Sequence, residues 1–131
     1  MRHIKKYLKK QDVVFCGALE YKPNQTSDST SAEIAKYFKT EFINLTNVDG
    51  LYDKDPKKHK NVKFIPAISW ENFNKSASKI KYEPGQHFVL DSIAAKIILE
   101  NKIPTYILGK STSNLDSFLK GKKFKGTIIR D

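Results

Sequence analysis

Apolar positions change period several times along the chain, and each change marks an element. Residues 2–10 place Ile4, Tyr7 and Leu8 on one face of an otherwise basic helix. Val13, Val14, Phe15 and Cys16 form a continuous apolar run ending at Gly17, which reads as a short buried strand. Residues 18–25 carry Pro23 and Asn24 among polar neighbours and read as a loop. Ser27 or Asp28 is placed to cap the next helix, whose apolar side holds Ile34, Ala35, Tyr37 and Phe38. Phe42, Ile43, Asn44 and Leu45 make a second strand. It breaks at Thr46-Asn47-Val48-Asp49-Gly50, residue types that bond their own backbone or tolerate left-handed conformation.

Farther on, residues 62–65 read as a short strand before Pro66, and Ser69 as the cap of a helix starting at Trp70. Trp70 and Phe73 are expected in the core. Residues 76–83 lack a clear period and are expected to be irregular. A turn at residues 84–87 leads into a helix from about Val89 to Asn101, with Val89, Leu90, Ile93, Ala94, Ile97 and Ile98 at helical spacing. Residues 103–108 form another strand. Residues 114–119 form a short helix with Leu115, Phe118 and Leu119 inward, and residues 126–129 a last strand. Strands and helices alternate over short links. The expectation is one α/β domain over residues 1–131: three layers, a mostly parallel sheet with helices on both faces.

Charge narrows the partners. Twenty-four Lys and Arg face 14 Asp and Glu, a formal net charge of +10, yet only Arg2 and Arg130 are arginine. Base readout and bidentate phosphate contacts favour Arg, so the Lys runs at 57–63 and 120–125 read as solvated surface rather than a nucleic-acid footprint. Cys16 is the single cysteine, which excludes an internal disulfide and fits a reducing compartment. Gln11 and Asp12 interrupt the basic start and an apolar run barely long enough for a signal peptide, which argues against secretion, and no window reaches the ~20 apolar residues of a membrane span. A cytoplasmic protein without membrane contact is expected.

Candidate chemistry gathers at two strand ends. In open α/β sheets ligands bind beyond the carboxyl ends of the strands, and Thr46 to Asp55 supplies a hydroxyl, an aromatic ring and carboxylates there. Between Gly17 and Asp28 a strand end feeds a helix start, where free backbone N–H groups favour an anion or a carbonyl. His87 lacks partners at metal-ligand spacing, so no metal site is expected in the chain itself.

The stretch TNVDGLYDKDPKK, Thr46 to Lys58, resembles the nucleotide-binding loop of the amino acid kinase superfamily, in its uridylate kinase branch and above all its archaeal members. The resemblance runs from about Val13 to Ile129 and corresponds to the C-terminal half of such an enzyme. It implies ATP contacts at Thr46, Asn47, Asp49, Gly50, Tyr52 and Asp55. Tyr52 offers a stacking face and Asp55 an acceptor for sugar or base, while Asp49 and Gly50 shape the loop. The segment ending in Thr26-Ser27-Asp28 resembles the family's Thr-Thr-Asp-like acceptor triplet, with Ser27 in place of the second Thr and a longer preceding loop. It implies UMP contacts at Gly17, Ala18, Thr26, Ser27 and Asp28. The implied reaction is transfer from ATP to UMP, giving ADP and UDP, with Mg²⁺.

Asp91 occupies the position where members acting on amino acids, such as acetylglutamate kinase, resemble one another in having a Lys. A carboxylate there, as in the uridylate branch, argues against amino acids and isopentenyl phosphate as substrates. Its equally weighted local reading is a helix cap. The family's phosphate-binding groups, an N-terminal Lys or Gly-rich strand end, a Gly-Gly turn and an Arg, find no counterpart among the scattered Gly85, Gly109, Gly121 and Gly126. The expectation is therefore a half-enzyme that assembles with an N-terminal half carried on a separate chain, or else a piece of a longer chain. Missing strands would leave exposed edges, which predicts a homo- or hetero-oligomer. The alternatives are another small-molecule phosphate kinase of the superfamily and a non-catalytic nucleotide- or RNA-binding module.

Overall fold

A computed structural model of the chain describes residues 1–17, 23, 26–79 and 89–131. The first helix, α1 (Arg2–Leu8), forms where expected, but Ile4 is buried while Tyr7 and Leu8 stay exposed. Residues 13–16 are not a strand, and Phe15 is 97% exposed. An apolar run becomes a strand only where a neighbour takes up its backbone groups, and among the described residues no strand pairs with it. Most of the loop at 18–25 and the turn at 84–87 lie outside the described residues.

Helix α2 (Ser27–Phe38) is capped by Thr26, not by Ser27 or Asp28. Thr26 Oγ1 accepts the Ser29 N–H at 3.1 Å, and Ser29 Oγ accepts the Thr26 N–H at 2.9 Å. Such a reciprocal box needs hydroxyl or carboxyl partners three residues apart at the helix start, and Thr26 with Ser29 meets that requirement. After β1 (Phe42–Thr46) come two short strands paired antiparallel, β2 (Leu51–Tyr52) and β3 (Phe64–Ile65), and then β4 (Ala67–Ile68). Helix α3 (Trp70–Lys79) runs on through residues 76–79, where an irregular stretch was expected, because Phe73 and Ala77, four apart, are both buried on its inner face. Helix α4 (Ser92–Asn101) starts later than Val89, since Asp91 caps it by accepting the Ala94 N–H at 2.7 Å. Strand β5 (Thr105–Gly109), helix α5 (Thr112–Leu119) and strand β6 (Gly126–Ile129) complete the order.

The main sheet has the order β1-β5-β6-β4. Strands β1 and β5 are parallel, as are β4 and β6, while β5 and β6 run antiparallel. The outer edge of β1 pairs with no strand among the described residues, and its Leu45 remains 48% exposed. Side chains alternate across a sheet. On one face Phe42, Ile107 and Ile129 join Ala32 and Ala35 of α2, Phe73 of α3 and Ala94, Ala95 and Ile98 of α4 in a single core, with α4 packed against both α2 and α3. On the other face Tyr106 lies 4.6 Å from the ring of Phe118 in α5, and Phe118 lies 4.9 Å from Phe124. Helices therefore cover both faces, as expected. Leu119, read as inward, is instead 66% exposed. Trp70 is half-buried and donates Nε1–H to the Ile103 carbonyl at 2.8 Å. Among the described residues no helix is long and apolar enough to cross a membrane.

Candidate nucleotide and acceptor site

Strands β1 and β5 end side by side, Thr46 opposite Gly109. Beyond those carboxyl ends opens a cavity of about 510 Å³, a size typical of small-molecule sites. Thr46, Asn47, Gly50, Tyr52 and Asp55 all line it. The Tyr52 ring meets Phe64 edge-on at 5.3 Å, which limits its rotation. Asp55 Oδ1 accepts the Lys57 N–H at 2.9 Å and its carbonyl accepts the His59 N–H at 3.0 Å, so a compact turn holds this carboxylate. Asp49 lies outside the lining. Its carboxylate receives Lys125 Nζ at 2.5 Å, and this bond, with the attraction of the charge, holds the Lys125 pKa above the usual lysine value.

The loop is fastened from a distance. Thr127 of β6 accepts the Leu51 N–H at 2.7 Å and donates to the Ile65 carbonyl at 2.6 Å, clamping β2 and β3 with one hydroxyl. Gly50 is required where it sits: a Cβ there would lie 2.7 Å from Thr127 Oγ1 and 2.8 Å from the Phe64 ring.

Several residues at the cavity escaped sequence reasoning. Lys54, Lys57, Lys58, His59 and Lys79 all line it. The run at Lys57 had read as solvated surface, and Lys79 arrives from the end of α3, where nothing in its local pattern marks it. Thr127, a lone hydroxyl in an apolar strand, was the visible but unread sign of a clamp. Asn44, within β1, donates Nδ2–H to the Val89 carbonyl at 2.8 Å and so fixes another wall.

At the start of α2 the structure brings Thr26 and Asp28 together with Asp91. Thr26 Oγ1 donates to Asp91 Oδ2. Asp28 is half-buried; burial first, and the Asp91 charge second, push its carboxyl pKa up from the ordinary value, against the opposing effect of the Asp91 N–H bonded to it. Ser27 is exposed in the first turn of α2. Gly17 is exposed with open space around its α-carbon, and Ala18 lies outside the described residues.

This architecture has counterparts. Residues 1–109 match the model of the amino acid kinase family. The chain belongs to the amino acid kinase family. Over 109 residues it is 38% identical to the uridylate kinase of Thermococcus sibiricus, covering 82% of this chain and 48% of that protein. The crystal structure of uridylate kinase from Archaeoglobus fulgidus superposes with a TM-score of 0.69 at 36% identity, covering 82% of this chain and 48% of that one. The UMP kinase of Bacillus anthracis, at 19% identity and a TM-score of 0.69, shares the fold, with 84% and 42% covered. The chain thus spans about half the length of the curated relatives it matches. In this amino acid kinase unit, the cavity and the Thr26–Asp28–Asp91 group both lie within the matched residues, whereas Thr127 and Lys125, which brace the loop, lie beyond them.

Proposed function

We propose that the chain is the nucleotide-binding half of a uridylate kinase, acting in transfer of the γ-phosphoryl group of ATP to UMP. The reading is carried by one observation: Thr46, Asn47, Gly50, Tyr52 and Asp55 surround a single cavity at the end of β1. The 38% identity to an archaeal uridylate kinase supports it.

In this reading Tyr52 stacks on adenine and Asp55 accepts from a ribose hydroxyl. Lys54, Lys57, Lys58 and Lys79 give the cavity a positive field that attracts the polyphosphate. Asp49, engaged by Lys125, serves the loop rather than the ligand. Thr26, Ser27 and Asp28, with Gly17 and Ala18 before them, face the acceptor UMP. A UMP phosphate oxygen attacks the γ-phosphorus, the bond to ADP breaks, and the protein contributes position and charge.

Among the described residues no three His, Cys, Asp or Glu side chains converge on a metal position. Mg²⁺ in this reading comes bound to the nucleotide phosphates, with few or no direct protein ligands, and neutralises their charge. The groups that cradle the reacting phosphates belong to the N-terminal half, so the active unit is an assembly of both halves. We place it in the cytoplasm, where a free thiol such as Cys16 stays reduced.

The test is UDP formation from ATP, UMP and Mg²⁺, by this chain alone and mixed with an N-terminal half from an archaeal relative. Activity in the mixture only is expected. UDP from the lone chain would move the phosphate-binding groups here. No UDP from halves shown to associate would overturn the kinase reading in favour of a binding module.

A further inference from the structure

The nucleotide cavity and the acceptor side are joined by one short connection. Asn44 of β1 holds the Val89 carbonyl at 2.8 Å, and Val89 lines the cavity. Leu90 is fully buried, and Asp91 next to it caps α4 through the Ala94 N–H at 2.7 Å. That bond uses Oδ1. The other carboxylate oxygen, Oδ2, accepts from the hydroxyl of Thr26, itself the cap of α2. An ordinary N-cap serves its own helix, whereas Asp91 holds the starts of two. Asp28, in the first turn of α2, takes the Asp91 N–H and lies close enough to feel the Asp91 charge.

We propose that Asp91 is a positioning residue for the acceptor: its carboxylate fixes Thr26, Ser27 and Asp28 relative to the nucleotide cavity. This rests on the reading of those three residues as UMP contacts. The bodies of α2 and α4 pack in a shared core rich in alanine, so loss of the Asp91 charge leaves the helices in place and releases only the start of α2. A displacement of about 1 Å at such a point is enough to cost about 10²-fold in a transfer reaction.

Calorimetric titration of the full chain with UMP, and separately with ATP, tests the proposal in wild type, Asp91→Asn, Thr26→Val and Thr26→Ser. Carbon-13 NMR follows the Asp28 carboxyl through its titration in the same set. Asn caps a helix as well as Asp, so Asp91→Asn keeps α4. The expected result is UMP affinity lower by about tenfold or more, ATP affinity unchanged, and the Asp28 carboxyl titrating at lower pH than in wild type. Thr26→Val reproduces the UMP loss, Thr26→Ser restores binding, and the double variant Thr26→Val/Asp91→Asn is no worse than either single. Wild-type UMP affinity in Asp91→Asn, or an equal loss for ATP, overturns the proposal. A wild-type chain that takes ATP but no UMP, with or without the N-terminal half, refutes instead the acceptor reading on which it rests.

Discussion

Asp49 and Lys125 meet at 2.5 Å, joining the turn after β1 to the residue just before β6. Lys125 is itself held on both sides of its backbone by Asn114, at 2.8 Å through its N–H and 2.7 Å through its carbonyl. The loop that lines the cavity therefore leans on a braced partner. Because the pair is exposed, Lys125→Met should change the melting temperature little. ATP affinity should fall by about two- to threefold at low salt. The difference should close as salt is raised, which titrations at two ionic strengths would show.

The Thr127 hydroxyl makes a sharper prediction. Thr127→Val keeps the shape but leaves the Leu51 N–H and the Ile65 carbonyl without that partner. Each unsatisfied group costs roughly 1–3 kcal/mol. Urea unfolding should show a loss of about 2–6 kcal/mol, and the Leu51 amide should exchange faster than its neighbours in the variant.

Asp28 gives a pH signature. Burial, and then the Asp91 charge, hold its folded pKa above the usual aspartate value of 3.8. The contribution of a raised carboxylate is therefore present below pH 3.8 and lost as pH rises through the folded pKa. At neutral pH the wild type carries a disfavoured charge. Asp28→Asn should raise the melting temperature slightly at pH 7, and the gain should vanish on acidification. Melting curves across that range decide it: an equal gain at all pH values would exclude charge as the cause.

Tyr52 tests the cavity directly. Its ring lines the wall and rests on Phe64. Loss of one aromatic stacking contact is worth about 0.5–1.5 kcal/mol, so Tyr52→Ala should weaken ATP about two- to tenfold. Tyr52→Phe should bind as wild type does. Thermal shift with ATP reads both.

What the sequence disclosed followed from how local each feature is. Strands β1 and β5 were legible because their apolar runs are continuous, and the cavity-lining loop after β1 because its residues are contiguous. Residues 13–16 carry the same apolar signal as β1 yet form no strand, since a strand is defined by its neighbour. Strands β2 and β3, two residues each, are too short to impose a period. Capping by Asp91 was readable from its place before an apolar helix. Its reach to Thr26 was not, and neither were the Thr127 clamp, the Asp49–Lys125 pair or Lys79 at the cavity. All of these are contacts between segments far apart in sequence.

Among the described residues the outer side of β1 is unpaired, and this bears on how the protein behaves in bulk. An unpaired strand edge is a template that a second copy can extend, and the half-exposed Leu45 adds an adhesive spot. Opposing this is a net charge of +10, whose repulsion reaches only about 8 Å at physiological ionic strength. The lysine excess therefore acts as a colloidal brake. Copies should remain dispersed in dilute buffer and coalesce as salt or a polyanion screens them, so the solubility of this chain is governed by its ionic surroundings as much as by its fold.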